Sequence, residues 1–141
     1  MAEKLVGVLR TQGAVRALVV FGHDGLDELS TITTSTVVEL RDGDVRTYDV
    51  DPGSLGLGPA TLEDIQGGDP ATNADWARRI LDGEPGARRE FVLLNAAAGL
   101  IAAGVAGDLT EGLAAATASV DDGRAAAVLD RLVAVSTASP A

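Results

Sequence analysis

Chemistry is concentrated in one stretch of this 141-residue chain, the acidic end of Gly22-His-Asp-Gly-Leu-Asp-Glu28. Ala17-Leu-Val-Val-Phe21 runs into it, five apolar residues rich in β-branched side chains and closed by glycine. Such a run predicts a strand buried on both faces. Open α/β sheets gather ligands beyond the carboxyl ends of their strands. Asp27 and Glu28, side by side in that turn, offer hard oxygen ligands to a divalent cation, most often magnesium that also bridges to substrate phosphates. Paired acids in a glycine-containing loop are also common as solvated surface, so this pair gains meaning only from the pattern around it.

Other constellations are missing from the residues. His23 is the only histidine, with no serine or cysteine nucleophile beside it to complete a triad and no second ligand for zinc. An exposed loop position is its expected place. The lone lysine, Lys4, falls in an amphipathic helix where Schiff-base chemistry is not expected. The glycines of Asp51-Pro-Gly-Ser-Leu-Gly-Leu-Gly-Pro59 do not lie between a strand and a helix in phosphate-loop spacing, so they are assigned no ligand. No catalytic nucleophile, base or phosphate cradle is assigned; the chain reads as part of a site.

The elements that must hold the acidic pair follow from periodicity. Leu5, Val8 and Leu9 share one face of a helix over Ala2–Gln12, with Gly13 just past its end. Leu29 to Thr36, dense in hydroxyls, either drapes as a binding loop or starts a strand, and its threonines favour the strand. Asp42-Gly43 between Val37–Leu40 and Val45–Val50 predicts a hairpin. Thr61 caps a short turn ending at Gly67-Gly68, and Asp69-Pro70 opens a helix with Asn73, Trp76, Ala77 and Ile80 on one face and Gly83 at its end. Trp76 is expected in the core.

Ala87 to Val105 is apolar almost all round in its second half, which predicts a central helix covered on every side, with Asn95 in need of a hydrogen-bond partner. Its apolar run, Phe91–Ala106, falls short of the length of a membrane span. Asp108-Leu-Thr-Glu111 has capping-box spacing. A last helix from Gly123 to Val135 carries Val128, Leu129, Leu132 and Val133 inward, and 136–141 is expected to fray.

Composition bounds the reading. The length suits one domain with a real core, and a formal charge of −10 argues against binding nucleic acid through its phosphates. Without cysteine there are no disulfides or cysteine–zinc sites. No charged segment followed by a short apolar one marks a secretory signal, and the cytoplasm is the default.

These residues resemble a known family. Val19-Val-Phe-Gly-His-Asp-Gly-Leu-Asp-Glu-Leu-Ser30 is similar to the aspartate–glutamate motif of anthranilate phosphoribosyltransferase. Pro52-Gly-Ser-Leu-Gly-Leu57, Gly67-Gly-Asp-Pro-Ala-Thr-Asn-Ala74, Ile80-Leu-Asp-Gly83, Val92-Leu-Leu-Asn-Ala-Ala97, Leu109-Thr-Glu-Gly112 and Asp121-Asp-Gly-Arg-Ala125 follow in the family's order and spacing. The resemblance implies transfer of a phosphoribosyl group from phosphoribosyl pyrophosphate to anthranilate, in tryptophan biosynthesis. It also implies magnesium held on the pyrophosphate by Asp27 and Glu28. Phe21 departs from the pattern, standing where many members have histidine.

The match covers residues 1–135 and corresponds to the C-terminal portion of a family member. The family's helical N-terminal domain, its Gly-Thr-Gly-Gly-Asp phosphoribosyl pyrophosphate loop and its anthranilate-contacting residues find no counterpart here. The expected fold is therefore α/β: a short mixed sheet of one buried strand plus a hairpin, packed by five or six helices, as a truncated phosphoribosyltransferase or nucleoside-phosphorylase-like large domain. The chain is expected to be inactive alone, to bind phosphoribosyl pyrophosphate and anthranilate only with the missing part, and to pair with that part or with itself through its uncovered strand. The alternatives are a non-catalytic self-associating module and part of a related nucleoside-phosphorylase-like enzyme.

Overall fold

A computed structural model describes residues 1–138. Helix α1 (Ala2–Thr11) leads into strands β1 (Arg16–Gly22), β2 (Ser35–Arg41) and β3 (Asp44–Val50). A 3-10 turn over Pro52–Leu55 is followed by α2 (Leu62–Ile65), α3 (Pro70–Leu81), α4 (Ala87–Ala102), α5 (Leu109–Asp121) and α6 (Arg124–Thr137). The α/β class, the short sheet and its helical packing are as the sequence implies.

The sheet runs β1-β2-β3, with Val19 opposite Val38 and Val37 opposite Tyr48. Both pairings are antiparallel, so the sheet is not mixed among the described residues. Neither connection contains the crossover helix that parallel neighbours need.

Alternation along the strands divides the core in two. Ala17 and Val19 of β1, with Val38 and Leu40 of β2, pack under Val6 of α1. Leu18, Val20 and Val37 face the other way, onto Leu94, Ala97, Ala98 and Ile101 of α4. The buried strand is thus β2, whose Val37, Val38 and Leu40 are sealed from solvent, and not β1. Lying at the sheet's edge, β1 is only half-covered, and Phe21 at its end is 41% exposed. Five apolar residues in a row give β1 two apolar faces; they do not give it a second neighbour.

Helix α1 turns Val6 inward and leaves Leu5 and Val8 exposed, one position out of register with the expected face. The hydroxyl-rich segment is a loop through Thr34, with β2 starting at Ser35, because Ser30 and Ser35 bond locally in competition with a ladder.

Several local expectations hold. Asp42 (φ 52°) and Gly43 (φ 93°) make the tight hairpin turn. Thr61 and Asp64 form a reciprocal capping box, Asp69 accepts from Thr72 N at 2.9 Å, and Asp108 accepts from Glu111 N at 2.9 Å.

The long-range expectations fare less well. Gly104 (φ 73°) follows the end of α4 at Ala102, and α4, covered by the sheet and by α5, leaves a stripe of Val92, Ala96 and Gly99 exposed. Trp76 is half-buried under the Arg88 guanidinium, 3.8 Å from the ring centre, and is not a core residue. No residue of α6 is fully buried: of the four expected inward, Leu129 is partly covered, Val128 is 53% and Leu132 60% exposed, and Val133 is exposed too. Helix α6 nonetheless extends to Thr137, where the Ser136 and Thr137 hydroxyls donate back to Val133 O. The rest of the expected tail, 139–141, lies outside the described residues.

Candidate metal centre

The loop between β1 and β2 is built by local polar bonds around an exposed crest. Gly22 N donates to Leu26 O at 2.8 Å and His23 N donates to Thr34 O at 3.0 Å, which closes the base of the loop. Inside it, the Asp24 carboxylate accepts from Leu26 N at 3.2 Å and from the Ser30 hydroxyl at 2.6 Å. The Ser30 oxygen accepts in turn from Ile32 N at 2.9 Å, while Ser30 N donates to Ser35 Oγ at 2.8 Å. A Cβ at Gly22 would displace the Asp24 carboxylate and lie 3.1 Å from Ser30 Cβ, so glycine there leaves room for the Asp24–Ser30 bond.

From outside the loop, Asn95 on α4 reaches Leu29. Its Oδ1 accepts from Leu29 N and its Nδ2 donates to Leu29 O, both at 2.9 Å. Nδ2 also donates to Phe91 O at 3.0 Å, so the lone polar residue of an apolar helix face is fully partnered. Its need for a partner is legible in the sequence; the partner, 66 residues away, is not.

Asp27 and Glu28 sit between these fixed points, at solvent. No ion pair engages either carboxylate among the described residues. Neither belongs to a cluster of three or more metal-ligating side chains there. Two free adjacent carboxylates without a cage suit a magnesium ion that retains waters and takes further oxygens from phosphates, and do not suit a fully protein-ligated calcium. The donor set therefore fits the ion expected from the sequence.

The remaining polar residues of the sheet are engaged elsewhere. His23 is exposed, as expected; its Nε2 lies 2.9 Å from Thr36 Oγ1, and the Thr36 hydroxyl donates to Asp49 at 2.8 Å. Glu39, an acid that nothing in its sequence neighbourhood marks as buried, is 1% exposed on β2. Arg46 grips it through Nε at 2.9 Å and Nη2 at 2.8 Å, and Arg41 Nε lies 3.3 Å away. With its charge met on two sides, Glu39 is a structural acid. The Tyr48 hydroxyl nearby is pushed up to about 12, first by burial and then by the Glu39 charge.

Residues 1–126 match the family model described as glycosyl transferase family, a/b domain. The chain belongs to this family. Within it, the resemblance to the anthranilate phosphoribosyltransferases holds along nearly the whole chain. The enzyme of that name from Maricaulis maris is 50% identical over 128 residues, covering 91% of this chain and 38% of the relative. The one from Roseiflexus castenholzii is 50% identical over 139 residues, covering 97% and 41%. The chain thus spans about two fifths of the length of the curated relatives it matches.

The fold is shared as well. The anthranilate phosphoribosyltransferase crystal structure from Thermus thermophilus superposes with a TM-score of 0.84 at 40% identity, covering 94% of this glycosyl transferase domain and 39% of that chain. A Saccharomyces cerevisiae anthranilate phosphoribosyltransferase variant with Mg bound gives 0.79 at 25% identity, covering 92% and 38%. No helix among the described residues is long and apolar enough to cross a membrane.

Proposed function

We propose that this glycosyl transferase domain supplies the magnesium-binding part of an anthranilate phosphoribosyltransferase, acting in tryptophan biosynthesis in the cytoplasm. The observation that carries the reading is the loop after β1. Its backbone is tied at Leu26, Leu29 and Ser30, and the two carboxylates it presents are free of protein partners among the described residues. Asp27 and Glu28 would hold the ion, whose charge, when bound, neutralises the pyrophosphate that leaves phosphoribosyl pyrophosphate.

The chain's own residues do the positioning. Asp24 and Ser30 shape the turn, Asn95 fixes its far end, and β1 sets its base against the sheet. Anthranilate recognition and the cradle for the ribose phosphate are assigned to the portion of the relatives this chain does not span, so the 141-residue chain alone is expected to give no turnover.

Loss of anthranilate fluorescence on addition of phosphoribosyl pyrophosphate and magnesium tests this, with and without the remaining portion of a relative supplied as a second polypeptide. Activity is expected only in the mixture, and Asp27→Ala is expected to lower it about 100-fold, equivalent to about 3 kcal/mol of transition-state stabilisation. Asp27-dependent turnover by the chain alone would overturn the assignment of the missing functions, and full activity of Asp27→Ala in the mixture would overturn the metal site.

A second reading, a self-associating module without chemistry of its own, is favoured by the open edge of β1 and the exposed apolar stripe of α6.

A further inference from the structure

We propose that Asn95 is a positioning residue for the acidic pair, gripping the loop from α4 so that Asp27 and Glu28 are presented in one fixed arrangement. The proposal rests on the reading of Asp27 and Glu28 as metal ligands and adds to it the element that organises them.

Three observations carry it. The Asn95 amide meets both polar groups of a single residue, Leu29 N and Leu29 O, as a neighbouring β-strand would. Leu29 directly follows Glu28, so the clamp acts on the peptide that bears the second ligand, and the Leu29 side chain itself is fully buried. Finally, Asn95 stands on a helix that is itself anchored in the core. Its neighbours Leu94, Ala97 and Ala98 are buried, and α5 lies so close to Ala97 that a Cβ on Gly112 would come within 2.9 Å of it.

Side chains at solvent usually lose freedom on taking up an ion, which weakens binding. A loop already held from two sides loses less. Ser30, gripped by Ser35 and Asp24, secures one flank locally. Asn95 ties the buried far end of the loop, at Leu29, to a distant helix by two bonds at once. Leaving the carboxylates themselves untouched, it acts as outer-shell partners of metal ligands do, and their loss typically weakens metal affinity by roughly 10–100-fold.

The test uses Mn2+ as the probe on the full 141-residue chain, reading free ion by electron paramagnetic resonance, together with amide hydrogen exchange at Leu26–Ser30. Asn95→Ala is expected to weaken Asp27-dependent Mn2+ binding about 10-fold and to abolish protection of the Leu29 amide. Asn95→Asp keeps the acceptor for Leu29 N but faces Leu29 O with a second acceptor. It is expected to weaken binding too, and it decides the matter if the alanine variant does not fold. Val120→Ala, a buried change on α5 away from the loop, provides the control for lost stability alone and should leave both readouts unchanged.

Equal Mn2+ affinity in the native chain and the Asn95 variants would overturn the proposal while leaving the metal reading intact. So would an equal loss in Val120→Ala. If the native chain shows no Asp27-dependent binding, the metal reading fails separately. The positioning of metal ligands then falls with it, and exchange alone judges the clamp: a Leu29 amide freed in Asn95→Ala and not in Val120→Ala shows that Asn95 holds the loop for structure only, and an amide still protected in Asn95→Ala overturns the clamp as well.

Discussion

Glu39 shows how a single residue can constrain a sheet without taking part in chemistry. Its carboxylate is buried on β2 and met by Arg46 and Arg41, so removing Arg46 leaves a buried charge with the longer Arg41 contact alone. Arg46→Ala is expected to destabilise the chain by about 1–3 kcal/mol in urea unfolding. The double change Glu39→Leu with Arg46→Ala should recover most of that, because a well-packed apolar side chain needs no partner. A double variant no more stable than the single one would show that packing, and not charge, is what Arg46 provides. Tyr48 beside them sets a pH limit. Its hydroxyl is raised from the ordinary 10.0 to about 12, so the folded chain keeps the proton that the unfolded chain releases. Stability from this group is full below pH of about 10 and is lost as pH rises toward about 12. Melting temperatures across that window should fall less steeply in Tyr48→Phe.

At the scale of elements, one left-handed turn and one close approach govern the packing. The β2–β3 hairpin depends on a left-handed turn, with Asp42 at φ 52° and Gly43 at φ 93°. Gly43→Ala is expected to cost about 1 kcal/mol through backbone strain alone. Helices α4 and α5 meet at Gly112, where a Cβ would press on Ala97 Cβ, Cα and O at 2.9–3.0 Å. Backbone cannot yield as a flexible side chain does, so Gly112→Ala should destabilise by about 1–3 kcal/mol. Wild-type stability in that variant would mean that α5 slides freely on α4. The same contact steadies Ala97, two residues from Asn95 on α4.

Considered whole, the molecule leaves apolar surface unpartnered at separate places: the edge of β1 ending in Phe21, Leu5 and Val8 of α1, and Val128, Leu132 and Val135 of α6. Acidity keeps such a chain soluble, yet an open strand edge and an apolar helix stripe both favour association. Sedimentation velocity at tens of micromolar is expected to show species heavier than the 14.3 kDa monomer. Leu132→Glu should return the monomer if α6 carries the contact and leave the assembly intact if β1 does. A monodisperse native monomer would remove the self-association reading altogether.

What the sequence determined by itself is what short stretches of chain decide. Asp42-Gly43, Thr61 with Asp64, Asp69-Pro70 and Asp108 act within a few residues of themselves, so composition and spacing suffice. The ordered motifs from Val19 to Ala125 pointed to the family, and Asp27 and Glu28 stood out for their place after an apolar strand. Tertiary structure alone decided which apolar faces found a neighbour. Periodicity shows that α6 and β1 have faces able to be buried, but burial depends on what lies beside them: β1 has helices on both faces and an open edge, and the apolar stripe of α6 at Val128 and Leu132 faces solvent. It also decided the partner of Asn95, because a hydrogen bond across 66 residues is fixed by where α4 lies on the sheet and leaves no mark in the spacing of either segment.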